Sequence, residues 1–345
     1  MINLYGLPLY KLEQQMLSEG QSKFRAKQLY SWIYEKHVTN FDDMSDISKS
    51  FRDVLKEKYC LDKPSVYVKQ VSKDGTIKLL LELADGSKVE TVLMRYDYGN
   101  VICVTSQVGC AMGCSFCASG LLAKQRDLTA AEMVGELVVV DDMLREEGNR
   151  VTHIVVMGTG EPFDNYDNVM DFVRVANEQK GFAIGARHIT VSTSGIVPRI
   201  YDYANEGLQI NLAISLHAPN NELRSKLMKV NKAYPLDQLI PAVAEYNKIA
   251  GRRVTYEYIM IKGVNDTLEC AKQLVELIKP TFAYVNLIPY NDVLENGYHR
   301  AENSQVKAFM DYLMKHGVKT TIRKEFGSDI DAACGQLRAK EEGKL

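Results

Sequence analysis

The pattern of hydrophobic and polar positions divides the chain into a helical N-terminal part and a longer part in which strands and helices alternate. Apolar residues recur at helical spacing through most of residues 1–60, which predicts three helices separated by short polar breaks. These helices are predicted over Leu9–Ser18, Phe24–Lys36 and Ser48–Lys58. Two β-rich runs, Thr76–Leu83 and Lys88–Tyr96, then flank an Ala-Asp-Gly-Ser turn, which predicts a hairpin.

From residue 101 onward, β-rich runs alternate with helical runs. The predicted strands are Val101–Ser106, His153–Met157, His188–Ser192, Gln209–Leu216, Arg253–Ile261, Tyr284–Ile288 and Lys319–Arg323. The predicted helices are Ala130–Leu144, Asn168–Glu178, Leu236–Ile249, Leu268–Ile278 and Ser304–His316. This alternation predicts an α/β fold with a parallel sheet, either open and doubly wound or curled as a full or partial barrel. We therefore expect an N-terminal helical domain at 1–75, a connecting β-hairpin at 76–98 and a catalytic domain at 99–345.

Composition narrows the class of protein. The 345 residues are 46% hydrophobic and 25% charged, as is usual for soluble globular proteins. No run approaches the roughly 18 apolar residues of a membrane span, and the first residues do not resemble a signal peptide. The seven cysteines are odd in number and mostly clustered, which argues against a disulfide framework. We expect a cytoplasmic protein without membrane association.

The net charge of −2 means that any contact with nucleic acid must come from a local patch. One candidate patch combines basic and aromatic side chains between positions 23 and 36. Its members are Lys23, Phe24, Arg25, Lys27, Tyr30, Trp32, Tyr34 and Lys36. Basic groups beside aromatic rings suit phosphate contact and base stacking. The aromatic residues also fall at helical spacing, so they are equally well explained as part of the core.

Three cysteines lie within eight residues in the run Cys110-Ala-Met-Gly-Cys114-Ser-Phe-Cys117. Three thiolates at this spacing form a soft site for zinc or an iron–sulfur cluster. A structural zinc site usually takes four ligands from two separated pairs, and no second pair follows in the sequence. Zinc completed by a distant ligand and a thioredoxin-like Cys114/Cys117 pair stay open as alternatives. The spacing, with Phe116 in place, resembles the signature of radical S-adenosylmethionine (SAM) enzymes, in which an open iron of a 4Fe–4S cluster binds SAM.

Polar residues follow the ends of several predicted strands. They occur in Met157-Gly-Thr-Gly160-Glu161-Pro162, Ser192-Thr-Ser-Gly, Ser215-Leu216-His217 and Ile-Pro-Tyr-Asn291. Function in parallel α/β folds gathers at the carboxyl ends of strands. Each group alone is explained by an ordinary loop hydrogen bond. Together, at the same rim as the cysteine loop, they predict a pocket for a polar cofactor.

These motifs together resemble the RlmN family of dual-specificity adenine-C2 methyltransferases of 23S rRNA and tRNA. The resemblance includes Cys103-Val-Thr-Ser-Gln-Val-Gly-Cys110, the strand-end motifs, Asp329-Ile-Asp-Ala-Ala-Cys334-Gly-Gln-Leu and Lys23-Phe-Arg-Ala-Lys-Gln-Leu-Tyr-Ser-Trp-Ile-Tyr. It spans nearly the whole chain and implies a partial (β/α)6 radical SAM barrel. The sister family Cfr methylates C8 of the same rRNA adenine and shares the cysteines. Its glutamate motif typically reads Gly-Glu-Ala, so Pro162 favours C2.

The resemblance also implies a set of site residues. Cys110, Cys114 and Cys117 would hold a 4Fe–4S cluster, and two SAM molecules would be used per turnover. The residues that would bind SAM are Gly160, Glu161, Ser192, Ser215, Leu216, His217 and Asn291. Cys334 would carry the methyl group, and Cys103 would resolve the RNA adduct through a disulfide. The partners implied are 23S rRNA, tRNA and an external, flavodoxin-like electron donor, and we expect a monomer.

Glu90 is a further candidate. Alternation along its strand places it on one face with Val92 and Met94, so its carboxylate is either at an edge or functional. The family resemblance aligns Glu90 with a glutamate that accepts a proton or contacts adenine. Without the resemblance, Cys103 and Cys334 are also explained as inert core thiols. A protein of a different class, an RNA-binding cluster protein or an electron carrier, would need the three clustered cysteines but not Glu161 or Cys334.

Overall fold

The computed structural model describes residues 1–292, 296–331 and 335–343. Its N-terminal part contains three helices and two short strands that pair in parallel. These elements are β1 (Ile2–Asn3), α1 (Leu9–Ser18), α2 (Lys23–Tyr30), α3 (Lys49–Lys58) and β2 (Tyr59–Cys60). A π-helical turn, Ser31–Glu35, continues α2, where the sequence predicts one longer helix. The apolar positions of α1 explain its orientation, since Leu12 and Met16 share one face and are fully buried.

One ten-stranded sheet forms the body of the described chain. Its strands are β3 (Ser65–Val71), β4 (Ile77–Glu82), β5 (Lys88–Tyr96), β6 (Gly99–Cys103), β9 (His153–Val156), β10 (Ile189–Thr193), β11 (Asn211–Ser215), β12 (Val254–Met260), β13 (Ala283–Pro289) and β14 (Thr320–Ile322). The two-residue strands β7 (Gln107–Val108) and β8 (Arg126–Asp127) pair separately. The sheet order is β14-β13-β12-β11-β10-β9-β6-β5-β4-β3.

Helices lie between the strands of the second part of the large sheet, where β6, β9, β10, β11, β12, β13 and β14 pair parallel with one another in that order. These helices are α4 (Ala130–Glu146), α5 (Tyr166–Asn177), α6 (Val197–Ala204), α7 (Asn221–Leu227), α8 (Leu236–Ala250), α9 (Leu268–Ile278) and α10 (Asn303–Lys315), and α11 (Gln336–Glu341) follows the last strand. The predicted α/β fold with a parallel sheet is therefore confirmed. Local sequence fixes where α4 begins, because Thr129 and Glu132 form a reciprocal capping box at its first turn.

The sheet curls around a cavity of about 690 Å³ that is lined from β5 through β13. Its order begins at β14 and ends at β3, so the barrel is open between these two edges. The predicted hairpin, now β4 and β5, belongs to this same sheet, since β5 pairs antiparallel with β6 through Val92 and Cys103. The body is thus a partial barrel extended by three antiparallel strands.

The N-terminal helices dock on the outer helices of the barrel. His37, which follows the π-helical turn, has its Nδ1 2.7 Å from the carboxylate of Asp142 on α4. Gly6 lies so close to α4 that an added Cβ would be 2.8 Å from the amide nitrogen of Ala131. Among the residues that the structure describes, no helix is long and apolar enough to span a lipid bilayer.

Candidate active site

The loop between β7 and β8 carries the three clustered cysteines. Backbone hydrogen bonds fix its shape: Cys110 N–H donates to the carbonyl of Leu122 at 3.1 Å, and Cys117 N–H donates to that of Cys114 at 3.3 Å. Gly109 is required here because it has φ +82° and an added Cβ would lie 2.1 Å from the carbonyl oxygen of Ala123. The sequence thus folds this segment into a fixed cysteine loop.

The thiols of this loop favour a cationic ligand. Burial and the neighbouring Cys117 raise the pKa of Cys110 to about 11, and burial with the same neighbours raises the pKa of Cys114 further. A bound metal ion would offset that penalty, because thiolates are the form that metals bind. No three His, Cys, Asp or Glu side chains within 1–292, 296–331 and 335–343 meet closely enough to hold a single ion. The fit to an iron–sulfur cluster rests on the chemistry of the donors, since such clusters are held by cysteine thiolates that bind separate irons and this loop supplies three cysteines.

The barrel cavity brings together most of the predicted site residues. Those that line it are Cys103, Cys110, Cys114, Cys117, Gly160, Glu161, Ser192, Ser215, His217 and Asn291. Leu216 does not line it: its side chain is fully buried in the main core. Its N–H donates to the carbonyl of Glu257, and its carbonyl accepts from Arg224. Any contact of Leu216 with a cofactor would therefore come from its backbone.

Glu161 links two strand-end loops beside the cavity. One oxygen of its carboxylate accepts from the N–H of Phe163 at 2.9 Å, and the other accepts from the N–H of Ser194 at 2.7 Å. Its own N–H donates to Gln107 Oε1 at 2.9 Å, which connects this loop to the strand before the cysteine loop. The side chain is buried, and burial raises its pKa although these hydrogen bonds oppose the shift. Glu161 is therefore held in one orientation before any ligand binds.

His217 has a strained backbone and a defined protonation state. Its φ is +58°, a left-handed value that a residue other than glycine rarely adopts. Nδ1 accepts from the N–H of Ile259 at 3.1 Å, and the ring of Phe116 packs edge-on at 5.0 Å. Burial, with the nearby Arg224 cation, lowers the pKa of His217 to about 3. The ring is therefore neutral, with its proton on Nε2.

Arg224 is a site residue that sequence reasoning missed. It is fully buried and donates to three main-chain carbonyls, those of Ser194 (2.5 Å), Ser215 (3.2 Å) and Leu216 (3.1 Å). A fourth bond reaches Asn231 Oδ1 at 3.0 Å. This guanidinium thus fastens the ends of β10 and β11 together. Its sequence context, an amphipathic helical turn, gives no signal that would have identified it.

Glu90 lies outside the cavity lining and binds two other parts of the chain. Its carboxylate is 2.7 Å from the ammonium of Lys78, and both side chains are almost fully buried. The same carboxylate accepts from the N–H of Gly335 at 2.6 Å and of Arg338 at 2.7 Å, at the start of α11. Glu90 therefore anchors the residue that directly follows Cys334. The alternating pattern identified Glu90, whereas nothing singled out Lys78.

The C-terminal segment is tied to the antiparallel strands. Gln70 on β3 exchanges two hydrogen bonds with Asp331, each 3.0 Å long, and Asp74 accepts from the N–H of Gly327 at 2.9 Å. Cys334 itself lies outside the described residues. Ile330 and Gln336, on either side of it, line the cavity. The two flanks of Cys334 therefore lie beside the same space as the cysteine loop.

The aromatic side chains of the candidate RNA patch at the N terminus differ in their exposure to solvent. Tyr30 and Tyr34 are buried in the core, whereas Phe24 is 65% exposed. The ammonium of Lys36 lies 3.3 Å from the centroid of the Trp32 ring. Base stacking in this patch is thus possible for Phe24 and not for the two buried tyrosines.

Comparison with known proteins identifies the family. A model described as the ribosomal RNA large subunit methyltransferase N-terminal domain matches residues 2–61, and the radical SAM superfamily model matches residues 104–278. A probable dual-specificity RNA methyltransferase RlmN from Geobacillus kaustophilus is 56% identical over 98% of this chain and 93% of that protein. The protein of the same description from Spiroplasma citri is 51% identical over 100% of this chain and 99% of its own length.

Comparison with a solved structure agrees with these sequence matches. The crystal structure of a radical SAM methyltransferase from Sphaerobacter thermophilus matches with a TM-score of 0.92 and 42% identity, covering 97% of this chain and 99% of that one. The chain is accordingly a SAM-dependent methyltransferase. The chain belongs to the RlmN family of radical SAM dual-specificity RNA methyltransferases.

Proposed function

We propose that this chain methylates C2 of an adenosine in 23S rRNA and in tRNA through a methyl group carried on Cys334. The observation that supports this is the shared cavity. Cys103, the three cysteines of the loop, and Ile330 and Gln336 on the two sides of Cys334 all line it. A methyl carrier, a resolving thiol and a redox centre would need such proximity.

The target carbon explains the need for radical chemistry. Adenine C2 is an electron-poor carbon of an amidine, so it does not attack the methyl group of SAM as an amine would. Membership of the radical SAM superfamily implies an iron–sulfur cluster and SAM, and we assign a 4Fe–4S cluster to Cys110, Cys114 and Cys117. When bound, it supplies the electron that cleaves the second SAM, so that a hydrogen atom is taken from the methyl group on Cys334.

Two cysteines of the chain carry out the remaining transfer. The Sγ of Cys334 first loses its proton and attacks the methyl group of one SAM, and S-adenosylhomocysteine leaves. After hydrogen abstraction, the carbon on this sulfur bonds to C2 and joins protein to RNA. C2 then loses its proton, and the adduct loses one electron, which the iron–sulfur cluster would take back. The thiolate of Cys103 attacks the sulfur of Cys334, and a disulfide forms as the bond from that sulfur to carbon breaks. The released carbon keeps the electron pair of that bond and takes up a proton, which makes it the methyl group on C2. An external two-electron reductant restores the thiols.

The strand-end residues would hold SAM in the cavity. Glu161 has carboxylate oxygens that accept from an ammonium group. Neutral His217 offers its Nε2–H as a donor, and the hydroxyls of Ser192 and Ser215 serve either role. Asn291, together with the backbone at Gly160 and Leu216, completes the proposed set. Because Arg224 and the Glu161 contacts fix these loops, little ordering would be needed on binding.

In this proposal, Glu90 acts chiefly by holding the C-terminal segment in place. Its carboxylate is engaged by Lys78 and by the amides of Gly335 and Arg338. A direct role as proton acceptor or adenine contact remains a prediction, and it would require these contacts to open. As described, they hold the segment next to Cys334 against the barrel.

The proposed partners follow from the family and the chemistry. RNA is the substrate class that the relatives' descriptions name. We further propose a flavodoxin-like electron donor, a monomer, and action in the cytoplasm, where ribosomes and tRNA are found. We also propose the division of the chain into an N-terminal helical domain at 1–75, a connecting hairpin at 76–98 and a catalytic domain at 99–345.

Two cysteine variants test the mechanism. Cys334→Ala removes the methyl carrier, so neither methylated protein nor RNA product should form. Cys103→Ala permits methylation of Cys334 and addition to RNA but removes the resolving thiol. That variant should accumulate covalently joined to RNA as a slow band in denaturing electrophoresis, and nuclease should collapse the band. Cys270→Ala, on α9, is the matched control and should form product without the band.

A Cys103→Ala protein that methylates RNA at the unaltered rate would contradict the resolving role. Mass spectrometry of adenosines from a deletion strain tests the regiochemistry. Loss of a methyl group from C2 supports the proposal, and loss from C8 would favour the Cfr-like alternative.

A further inference from the structure

Glu257 is a buried carboxylate inside the barrel that the sequence analysis did not single out. It lies in the middle of β12, where its neighbours Tyr256 and Tyr258 belong to the main core. Because successive side chains of a strand point to opposite faces, Glu257 points the other way, and it lines the cavity. Only 6% of the residue is exposed. A carboxylate in such surroundings is unfavourable unless polar groups offset its desolvation.

One oxygen of this carboxylate is held by the neighbouring strand. Asn286 is paired with Glu257 in register on β13, and its Nδ2 donates to Glu257 Oε2 at 2.8 Å. Thr321 on β14 donates to Asn286 Oδ1 at 3.3 Å. This second bond fixes the amide so that its N–H faces Glu257. Asn286 engages Oε2, and the lone pairs of the other carboxylate oxygen, Oε1, can accept a further hydrogen bond.

The same row of the sheet continues into the proposed SAM site. Ser215 is paired in register with Glu257 on β11, so a polar row runs through Ser215, Glu257, Asn286 and Thr321. Arg323, which follows β14, also lines the cavity, and its charge opposes the rise in the pKa of Glu257 that burial causes. The carboxylate is thus supported from one side and has an acceptor oxygen left for a ligand.

We infer that Glu257 is a further ligand-binding residue of this cavity, whose Oε1 accepts a hydrogen bond from a donor group of a nucleoside. Ribose hydroxyls and an exocyclic amine are the donors of suitable chemistry, and carboxylates bind ribose hydroxyls in other nucleotide sites. The nucleoside is either the adenosyl part of SAM or the target adenosine of RNA. The inference rests on the proposed function in that both nucleosides enter this cavity.

Replacement of the carboxylate tests the inference in two arms. Iron-loaded Glu257→Gln protein is titrated with SAM in the absence of RNA, and separately with unmethylated tRNA in the absence of SAM, by calorimetry. Loss of a charge-assisted hydrogen bond should weaken one of the two by about tenfold or more. Weaker binding of SAM would show that Glu257 contacts the adenosyl part of SAM. Weaker binding of tRNA would show that it contacts the target adenosine of the RNA.

A matched control separates this effect from the loss of any buried carboxylate. Glu136 on α4 is also fully buried, and it accepts from the N–H of Thr105 rather than lining the cavity. Glu136→Gln should leave both affinities unchanged. If Glu257→Gln does not fold, Asn286→Leu keeps the carboxylate but removes its alignment, and it should weaken the same arm by a smaller factor.

Equal affinities of Glu257→Gln and the unaltered protein in both arms would overturn the inference. Failure of the proposed function is recognised separately, since the unaltered protein would then form no C2-methyladenosine in 23S rRNA or tRNA, whatever the result of the two titrations. Iron content and the thermal midpoint, measured on the same samples, show that each variant is folded.

Discussion

Removing the ammonium of Lys78 should destabilise the barrel strongly. Lys78 and Glu90 are 0% and 4% exposed and lie 2.7 Å apart, so water screens their interaction little. Truncation of one member of such a pair leaves an uncompensated buried charge, which costs about 3–5 kcal/mol. That loss is a large part of the roughly 5–15 kcal/mol by which proteins are stable. The Lys78→Met protein should therefore unfold at a clearly lower urea concentration than the unaltered protein. Circular dichroism, recorded across a urea titration, measures this midpoint.

The double variant separates the stability of the pair from its role in anchoring. In Lys78→Met combined with Glu90→Met, two apolar side chains fill the space, and such replacements are often neutral or stabilising. The urea midpoint of the double variant should therefore regain most of the decrease that Lys78→Met alone causes. The amides of Gly335 and Arg338, however, lose their acceptor in the double variant. Hydrogen exchange at the start of α11 should therefore be faster than in the unaltered protein, although the body is stable.

An exposed ion pair supplies the control, and two results would refute the reasoning. Lys307 and Asp311 form a pair whose side chains are 68% and 55% exposed, so Lys307→Met should barely move the midpoint. If Lys78→Met were as stable as the Lys307 variant, the buried pair would not carry the assigned energy. If α11 in the double variant kept its slow exchange, Glu90 would not anchor the C-terminal segment.

Three further predictions concern the metal, the cofactor and the RNA. Anaerobically purified protein should hold about four irons by the stoichiometry of the cluster, and Cys114→Ala should lose them; elemental analysis that finds stoichiometric zinc and no iron would contradict the radical mechanism. Glu161→Ala should weaken SAM binding by about 1.5–3 kcal/mol with iron content unchanged, and an unaltered affinity in calorimetry would remove Glu161 from the site. RNA affinity should fall steeply as salt rises, and charge reversal at Lys23, Arg25 and Lys27 should flatten that slope; an unchanged slope would place the RNA surface elsewhere.

Features that depend on neighbouring residues could be predicted from the sequence. The helices Leu9–Ser18 and Leu268–Ile278 begin and end where the hydrophobic periodicity predicts. The three cysteines are adjacent in the chain, so one loop brings them together. The strand-end residues Glu161 and His217 could be anticipated because the carboxyl ends of parallel strands meet at one edge of the sheet.

Contacts between distant residues were decided by the tertiary structure alone. Glu90 and Gly335 are 245 positions apart, and no local pattern indicates that one binds the other. The sequence predicts the hairpin but not that it extends the barrel sheet. A period of two along β12 shows that Glu257 and Tyr256 lie on opposite faces, yet not which face is turned inward. That choice depends on which layer of helices packs against the sheet, because the energy of burial belongs to the assembled core and not to the strand.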